Sequence, residues 1–211
     1  TVQRVPVPVV PGEQLKLLIV TGENSYEHDW TGVNNTLRAQ LLATGRFDVR
    51  VIEDFSSATA ATLEPYDVVL LNYVGRWNYT DKAEKRWGAV AEKALFDYVA
   101  KGGGVVVYHA SFNMGSPSWP EFERLAGGTM RPFKGSRRSP PNGFMVHVVD
   151  HEHPVTRGMR DYYWALNEDM YTNMFWHPEA KIRVLATAFD DSKSYASERA
   201  GPKYPPQLYT P

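Results

Sequence analysis

Cysteine is absent from the 211-residue chain, and this absence excludes several kinds of chemistry at once. Without a thiol there is no disulfide, no thiolate ligand for a metal and no cysteine nucleophile. The chain also lacks any apolar run close to the roughly 20 residues that a bilayer-spanning helix needs. The sequence therefore predicts a soluble protein with no membrane span.

An excess of charge of either sign is also missing. The chain has 23 basic and 24 acidic side chains, for a formal net charge of −1. Such a balance gives no bulk attraction to nucleic acid or to an anionic membrane, so we expect no nucleic-acid partner. The densest basic cluster, Lys134 to Arg138, is short and interrupted by small residues, which is typical of a solvated loop.

Length and hydrophobic content favour one globular unit. A hydrophobic share of 43% in 211 residues is enough for one sizeable core and too little for two ordinary domains. We predict an extended N-terminal arm over residues 1–14 and a single α/β domain over residues 15–211. The start at Thr1 suits a processed secretory precursor as well as a trimmed cytoplasmic protein, so a periplasmic or secreted location and a cytoplasmic one both stay open.

Apolar runs alternate with helical periodicity along the first half of the chain. Continuous apolar runs predict buried strands, and apolar residues at helical spacing predict helices that pack on a sheet. Strands are expected at Leu15–Val20, Phe47–Ile52, Tyr66–Leu71 and Val105–Tyr108. Helices are expected from Thr31 to a stop at Gly45, and from a cap at Asp81 through Trp87 to Val99. Because this alternation requires right-handed crossovers, we predict a doubly wound, mostly parallel sheet with helices on both faces.

The second half of the chain gives a weaker signal. It predicts a short helix near Trp119–Leu125 and strands at Phe144–Val149 and Ile182–Ala188.

Polar side chains cluster in the segments that follow the predicted strands. In open α/β sheets, ligands bind beyond the carboxyl ends of the strands, so these segments are the first candidates for a site. The candidates are Asn24, His28, Asp29 and Trp30 after the first strand, Asn72, Tyr73, Arg76 and Trp77 after the third, and His109, Ser111 and Asn113 after the fourth. Each has a plain alternative, since Asp and Asn cap turns and a half-buried histidine can serve only packing.

Two further clusters could bind a divalent metal or transfer protons. His151 and His153 would point to the same side of an extended chain, a spacing that suits two imidazole ligands on zinc, manganese or iron. The proline that follows favours instead a His153 that anchors a loop through hydrogen bonds. Glu168, Asp169 and Tyr171 could perform acid/base work or bind metal, although adjacent acids often decorate a surface turn.

Several motifs occur in a fixed order between Leu15 and Tyr171. They are Thr21-Gly22 with His28-Asp29-Trp30, Tyr66-Asp67-Val68-Val69, Gly102-Gly103-Gly104 before Tyr108-His109-Ala110, Trp119 before Leu125-Ala126-Gly127-Gly128, and His153-Pro154-Val155-Thr156-Arg157-Gly158. In this order the sequence resembles the ThuA-like, or trehalose-utilisation, family of the class I glutamine amidotransferase-like superfamily. The resemblance implies a flavodoxin-like fold.

The same resemblance places the turn after the fourth strand where an amidotransferase carries its cysteine elbow. This chain has His109 and Ala110 there, and the absence of cysteine excludes thiol-dependent glutamine hydrolysis. Two departures from the family pattern concern other candidates. Met130-Arg131-Pro132-Phe133 stands where the family often has a histidine, and Glu168-Asp169-Met170-Tyr171 stands where it has Asp-Glu-x-Tyr.

Disaccharide use is the theme of the family, so the resemblance implies a carbohydrate ligand and, as a functional partner, a sugar oxidoreductase that makes 3-keto sugars. The first hypothesis is an isomerase, lyase or hydrolase acting on a sugar or 3-keto-glycoside. His28 and His109 would act as acid/base groups or metal ligands, with Asp29 or Glu168 as partners. Sugar faces could stack on Trp30, Tyr73, Trp77 and Trp119, and hydroxyls could bond Asn24, Asn72, Arg76 and Asn113.

Ser111 and Tyr171 complete the predicted substrate-binding set. The candidate ligands of a divalent metal are His28, His109, His151, His153 and Asp169. The second hypothesis is a noncatalytic carbohydrate- or partner-binding module that kept the scaffold after losing its nucleophile. A nucleotide-binding flavodoxin-like protein is the weakest option, because no loop offers a phosphate cradle.

Overall fold

The computed structural model describes residues 13–22, 29–73, 86–115, 119–131 and 134–189. They form two compact units, divided in the chain between Met114 and Gly115. A single domain over residues 15–211 stays a prediction. Most of the predicted N-terminal arm lies outside the described residues, as do Asn24, His28, Arg76, Trp77 and Asp81.

The first unit, up to Met114, alternates strands and helices. Its elements are β1 (Leu15–Val20), α1 (Trp30–Ala43), β2 (Phe47–Ile52), α2 (Ala60–Leu63), β3 (Val68–Leu71), α3 (Ala89–Ala100), β4 (Gly104–Val107) and a 3₁₀ helix that starts at His109. The four strands form one sheet in the order β2-β1-β3-β4, and all neighbours are parallel. This order is that of a flavodoxin-like sheet, so the predicted doubly wound α/β fold is confirmed.

Strand order also fixes which face of the sheet each helix covers. From β1 the chain crosses through α1 to β2 on one side, and it then returns through α2 to β3 and through α3 to β4 on the other. Because such crossovers are right-handed, the reversal of direction puts α1 on one face and α2 with α3 on the opposite face. The contact between α2 and α3 agrees with this placement.

Apolar side chains from both strands and helices build the core of the first unit. Leu17, Ile19, Val49 and Leu70 form a buried cluster. Leu37 and Leu41 of α1 pack against this cluster, as the helical stripe of the sequence predicts. Burial of β1 on both faces explains why its sequence is a continuous apolar run rather than an alternating one.

One helix of the first unit begins later than predicted. Among the described residues α3 starts at Ala89, and Trp87 lies before it, outside any helix or strand. Gly88 has φ +96°, a conformation outside the helical region, which separates the tryptophan from the helix. The Trp87 ring instead packs between Phe55, at a centroid distance of 4.8 Å, and Tyr73, at 5.2 Å.

In its described residues, the second unit, from Gly115, contains one helix and several short sheets. Its elements are α4 (Pro120–Ala126), β5 (Gly128–Thr129), β6 (Arg137–Arg138), β7 (Asn142–Val148), β8 (Tyr162–Glu168), β9 (Tyr171–Thr172), β10 (Phe175–Trp176) and β11 (Ala186–Ala188). An antiparallel sheet has the order β11-β7-β8, and the two-residue strands form the pairs β10-β5 and β6-β9. No helix among the described residues is long and apolar enough to cross a bilayer.

Candidate functional site

The crevice of the first unit lies where the strand order reverses, beyond the carboxyl ends of β1 and β3. This is the position at which open α/β sheets bind ligands. Thr21 follows β1 directly, and Asn72 follows β3 directly. The Asn72 backbone N–H donates to the carbonyl of Val20 over 2.9 Å, so the two strand ends are held together as the chain leaves the sheet.

A buried chain of side-chain hydrogen bonds crosses this point. Asn72 Nδ2 donates to Asn34 Oδ1 over 2.8 Å, and Asn34 Nδ2 donates to Thr21 Oγ1 over 3.0 Å. All three side chains are buried. Because buried polar groups are costly unless they are hydrogen bonded, this chain fixes α1 and both strand ends in one arrangement. Asn72, a predicted substrate-binding residue, thus has a structural role at the ends of β1 and β3.

The backbone conformation and close packing at residue 22 explain why the motif after β1 contains glycine. Its φ is +115°, and a Cβ at this position would overlap the carbonyl oxygen of Glu53. A side chain is therefore excluded by conformation and by space together. The segment leaving β1 can pass against the segment leaving β2 only because residue 22 is glycine.

His109 is the first residue of the 3₁₀ helix, two residues after the end of β4. Its φ is +46°, in the left-handed region that non-glycine residues adopt infrequently. The His109 side chain is exposed, whereas the neighbouring Ala110 is buried. A strained turn that follows a strand and presents an exposed side chain is the geometry of a nucleophile elbow, here with imidazole in place of a nucleophile.

Ser111 joins the ends of β3 and β4. Its hydroxyl donates to the carbonyl of Leu71 over 2.7 Å and accepts from the backbone N–H of Tyr73 over 2.9 Å. The side chain is buried. These bonds bring the segments that carry Asn72 and His109 side by side, and they occupy the hydroxyl that was expected to bind substrate.

Asn113 is buried in the same 3₁₀ helix. Its side-chain oxygen Oδ1 has no hydrogen-bond partner among the described residues. An unpaired buried carbonyl costs free energy, so such groups call for an explanation, and one explanation is an absent ligand or water. Of the predicted hydroxyl-binding residues that the structure describes, Asn113 is the one with an acceptor left unused in this way.

Two of the predicted stacking residues are covered by protein. Tyr73 is buried against Trp87, and Trp119 in the second unit is buried against Phe122 with ring centroids 5.1 Å apart. Stacking on a sugar requires an accessible ring face. A stacking role for either ring would therefore require its neighbour to move, whereas Trp30, at the start of α1, is half-buried.

Asp29 caps the helix that begins with Trp30. Its Oδ1 accepts from the backbone N–H of Gly32 over 2.9 Å, which satisfies one of the unpaired donors of the first turn. The carboxylate predicted as a catalytic partner thus has a structural role in α1. Its predicted neighbour in catalysis, His28, lies outside the described residues.

In the second unit, the loop after β7 is organised by Asp150. Its Oδ1 accepts from the backbone N–H groups of Glu152 and His153, and Arg183 Nε donates to its Oδ2 over 2.5 Å. The Arg183 bond is the main reason that the pKa of Asp150 lies below its ordinary value. His153 Nδ1 accepts from the backbone N–H of Val155 over 3.2 Å. A bond of this kind is what the alternative role for His153, as an anchor of its loop, requires.

His151 has a different partner from His153. Its Nε2 lies 3.2 Å from a carboxylate oxygen of Asp161. Within the described part of the chain, no three histidine or carboxylate side chains are grouped as metal ligands. The shared-metal interpretation of the two histidines stays a prediction, and the hydrogen bonds give each a separate role.

Asp150 gives a prediction about the pH dependence of stability. A carboxyl whose folded pKa lies below its ordinary 3.8 stabilises the fold above that value and loses this contribution as the pH falls through the folded pKa. We therefore expect Asp150→Asn to be less stable than the wild type at neutral pH, with the difference shrinking below about pH 4. Urea unfolding of both proteins across this range measures it. A difference that does not change with pH would contradict the prediction.

The adjacent acids Glu168 and Asp169, at the end of β8, lie in different environments. Asp169 Oδ2 lies 3.0 Å from Arg138 Nε in an ion pair, and Tyr171 in β9 is paired with Arg138 in β6. Glu168 is exposed at the end of β8. His109 belongs to the first unit and Glu168 to the second, so the two candidates for catalysis come from different units.

Arg131 is an important residue that the sequence did not assign. Its guanidinium donates to both carboxylate oxygens of Glu123, at 2.8 and 2.6 Å from Nη2, and lies 3.4 Å from the ring centroid of Phe175. The Glu123 side chain is only 1% exposed. The available signal was a pair of opposite charges, Glu123 in the predicted short helix and Arg131 eight residues later.

Strand order, crevice and elbow together define the class of protein. It is a doubly wound, flavodoxin-like α/β protein with polar side chains at the strand ends and a strained residue after β4. The trehalose utilisation family model, ThuA, matches residues 16–210. The chain therefore belongs to the ThuA family.

Two solved structures have a similar fold. A ThuA-like protein from Parabacteroides merdae superposes with a TM-score of 0.70 at 24% identity, over 88% of this chain and 72% of that one. A ThuA-like protein from Bacteroides uniformis gives a TM-score of 0.64 at 24% identity, over 87% of this chain and 71% of that one. A comparison with curated proteins finds no match.

Proposed function

We propose that the protein acts on a sugar or a 3-keto-glycoside by acid/base chemistry, with His109 as the group that transfers the proton. The observation that carries the proposal is the exposed imidazole at φ +46°, two residues after the end of a parallel strand and beside the crevice. Strained backbone persists where the surrounding structure enforces it, and such residues cluster at functional sites. A histidine is the side chain best suited to proton transfer near neutral pH.

The chemistry requires one base and a place for developing negative charge. His109 would remove a proton from the carbon beside the keto group, and the electron pair of that C–H bond would move onto the carbonyl oxygen to give an enolate. Return of the proton from His109 to the former carbonyl carbon, with the proton of the adjacent hydroxyl passing to the enolate oxygen, gives isomerisation. Re-formation of the carbonyl with loss of a substituent from the next carbon gives elimination, and the leaving group takes the proton from His109. Asn113 Oδ1, which has no hydrogen-bond partner among the described residues, would accept from a sugar hydroxyl, and a divalent metal could stabilise the enolate.

A 3-keto substrate implies a second enzyme that produces it. An unmodified glycoside has no acidic C–H bond of this kind, so oxidation of a ring hydroxyl must come first. We therefore propose a sugar oxidoreductase as the functional partner, acting before this protein.

A noncatalytic carbohydrate-binding module is the second candidate. The observation in its favour is that Ser111 and Asp29 are both engaged in structural hydrogen bonds, which leaves fewer polar groups for chemistry. A module of this kind would bind the same ligands in the crevice without converting them.

Incubation with 3-keto-glycosides and with the matching unmodified disaccharides separates these candidates. Product formation is followed by mass spectrometry and NMR, with a chelator in one arm and added divalent metal in another, and binding is measured by calorimetry. We expect turnover of the keto form and little or none of the unmodified sugar. Saturable binding with no turnover in any arm would overturn catalysis in favour of the module, and the absence of both would overturn a carbohydrate function.

A further inference from the structure

Helix α1 leads away from the crevice, so its first turn lies beyond the ends of the strands. Asn34 bonds to Thr21 and, through Asn72, to the end of β3, and both partners lie at the carboxyl edge of the sheet. Further along the helix, Leu41 packs against the buried cluster within the sheet. Asp29 precedes Asn34 by five residues, which is about 7.5 Å along a helix axis. The start of α1 therefore lies beside the crevice.

Asp29 supplies an anion of the chain's own at the start of α1. The first N–H groups of a helix lack partners within the helix and attract negative charge, and in doubly wound folds the helix after the first strand can bind a ligand phosphate in this way. Here Asp29 Oδ1 accepts from the Gly32 N–H over 2.9 Å, and the Asp29 carbonyl accepts from the Val33 N–H over 3.0 Å. A phosphate in this position would have to displace the carboxylate.

Gly32 makes room for that carboxylate. Glycine destabilises a helix relative to alanine, so a glycine at the third position of α1 calls for a reason. A Cβ on Gly32 would overlap Asp29 Oδ2. With glycine at this position, one carboxylate oxygen can bond to the first turn while the other occupies the space that a side chain would take. The sequence of the helix start is therefore matched to the carboxylate.

Fixed charge at the carboxyl edge of the sheet is negative in the part of the chain that the structure describes. The residues of this edge are 21–22, 29–32, 53–56, 72–73 and 108–115. They include the carboxylates Asp29, Glu53 and Asp54 and no lysine or arginine. The Ser56 hydroxyl, and then the Ser56 N–H, hold the pKa of Asp54 below its ordinary value. A phosphate would meet like charge here, whereas an uncharged sugar would not.

We propose that Asp29 is a specificity-determining residue, by which the crevice selects an uncharged glycoside over the same glycoside carrying a phosphate. The inference rests on the proposed function and adds the charge of the substrate to it. The Asp29 carboxylate occupies the helix start at which a phosphate would otherwise bind, and it places a negative charge beside the crevice. Its hydrogen bond to the Gly32 N–H holds that charge in place.

Trehalose and trehalose 6-phosphate test the proposal, because they differ by one phosphoryl group. Calorimetry gives both dissociation constants for the wild type and for Asp29→Asn. Asparagine caps a helix about as well as aspartate does, so the variant keeps α1 and loses the charge. We expect the wild type to bind trehalose about 10-fold more tightly than its phosphate, and Asp29→Asn to lower this ratio about 10-fold, since one charge acts on a phosphate dianion a few ångströms away.

Asp48→Asn is the matched control for net charge. Asp48 is the second residue of β2, so it lies near the amino edge of the sheet, at the opposite end from the crevice. The variant removes one negative charge, as Asp29→Asn does. We expect it to keep the wild-type ratio of the two dissociation constants. Equal ratios in Asp29→Asn and Asp48→Asn would overturn the proposal.

Inorganic phosphate provides a readout that does not depend on sugar binding. The amide signals of Gly32 and Val33 are followed by NMR during a phosphate titration, and we expect Asp29→Asn to bind phosphate about 10-fold more tightly than the wild type. Two results would overturn the proposal: equal phosphate affinity in both proteins, or a wild type that binds trehalose 6-phosphate as tightly as trehalose, because a cation outside the described residues, such as Arg76, would then hold the phosphate. If no variant binds either sugar, the proposed function fails for this disaccharide, and the phosphate titration alone decides the role of Asp29.

Discussion

His109→Asn is expected to lower kcat/KM for the keto-glycoside by about 10²–10⁴-fold, the usual contribution of a positioned acid/base group. Asparagine tolerates positive φ better than most residues, so it keeps the turn at φ +46° while removing the imidazole. The melting temperature is therefore expected to change little. Steady-state kinetics and thermal unfolding of the same preparation measure the two effects separately.

Valine at the same position is the matched backbone control. A β-branched side chain strongly disfavours positive φ, so His109→Val is expected to lose stability as well as activity. If His109→Asn kept activity within about threefold of the wild type, His109 would not be the acid/base group. Loss of saturable sugar binding in His109→Asn, without a separate effect on turnover, would assign the side chain to binding instead.

Buried strands were the most predictable part of the fold. The bounds of β1 and β2 agree with prediction because β1 is apolar except for Lys16, β2 alternates apolar and charged residues, and turn-forming residues follow each strand. The strand that begins at Val68 was predicted from Tyr66, and β4 was displaced by one residue. Four strands of the second unit, by contrast, are two residues long, too short to show any periodicity.

The candidate site was predictable in position and less so in detail. The end of a strand identifies Asn72, His109 and Ser111 as residues near a crevice, because parallel strands share one carboxyl edge. The sequence does not show whether a polar side-chain atom already forms a hydrogen bond with the backbone. Ser111 bonds to Leu71 and Tyr73, 40 and 38 residues away in the chain, and such long-range partners exist only once the sheet has formed.

Arg131→Met is expected to lower the free energy of unfolding by about 3–5 kcal/mol, because it leaves the buried Glu123 carboxylate without its partner. The loss is large because the ion pair is bidentate and the carboxylate is almost fully shielded from water. The guanidinium also packs over the Phe175 ring, an attraction that methionine only partly replaces. For a chain of this size the melting temperature is expected to fall by about 10 °C. Urea and thermal unfolding measure both quantities.

Two further variants show whether the loss of stability comes from leaving a charge buried or from losing any ion pair. Arg124 and Glu179 form an exposed pair at 3.7 Å in the same unit, so Arg124→Met is expected to change stability by about 0.5 kcal/mol or less. Glu123→Leu combined with Arg131→Met removes both charges, and it is expected to recover most of the stability lost by Arg131→Met alone, since no unpaired charge then remains buried. If the double variant were as unstable as Arg131→Met, the loss would come from packing around Phe175 rather than from the stranded carboxylate.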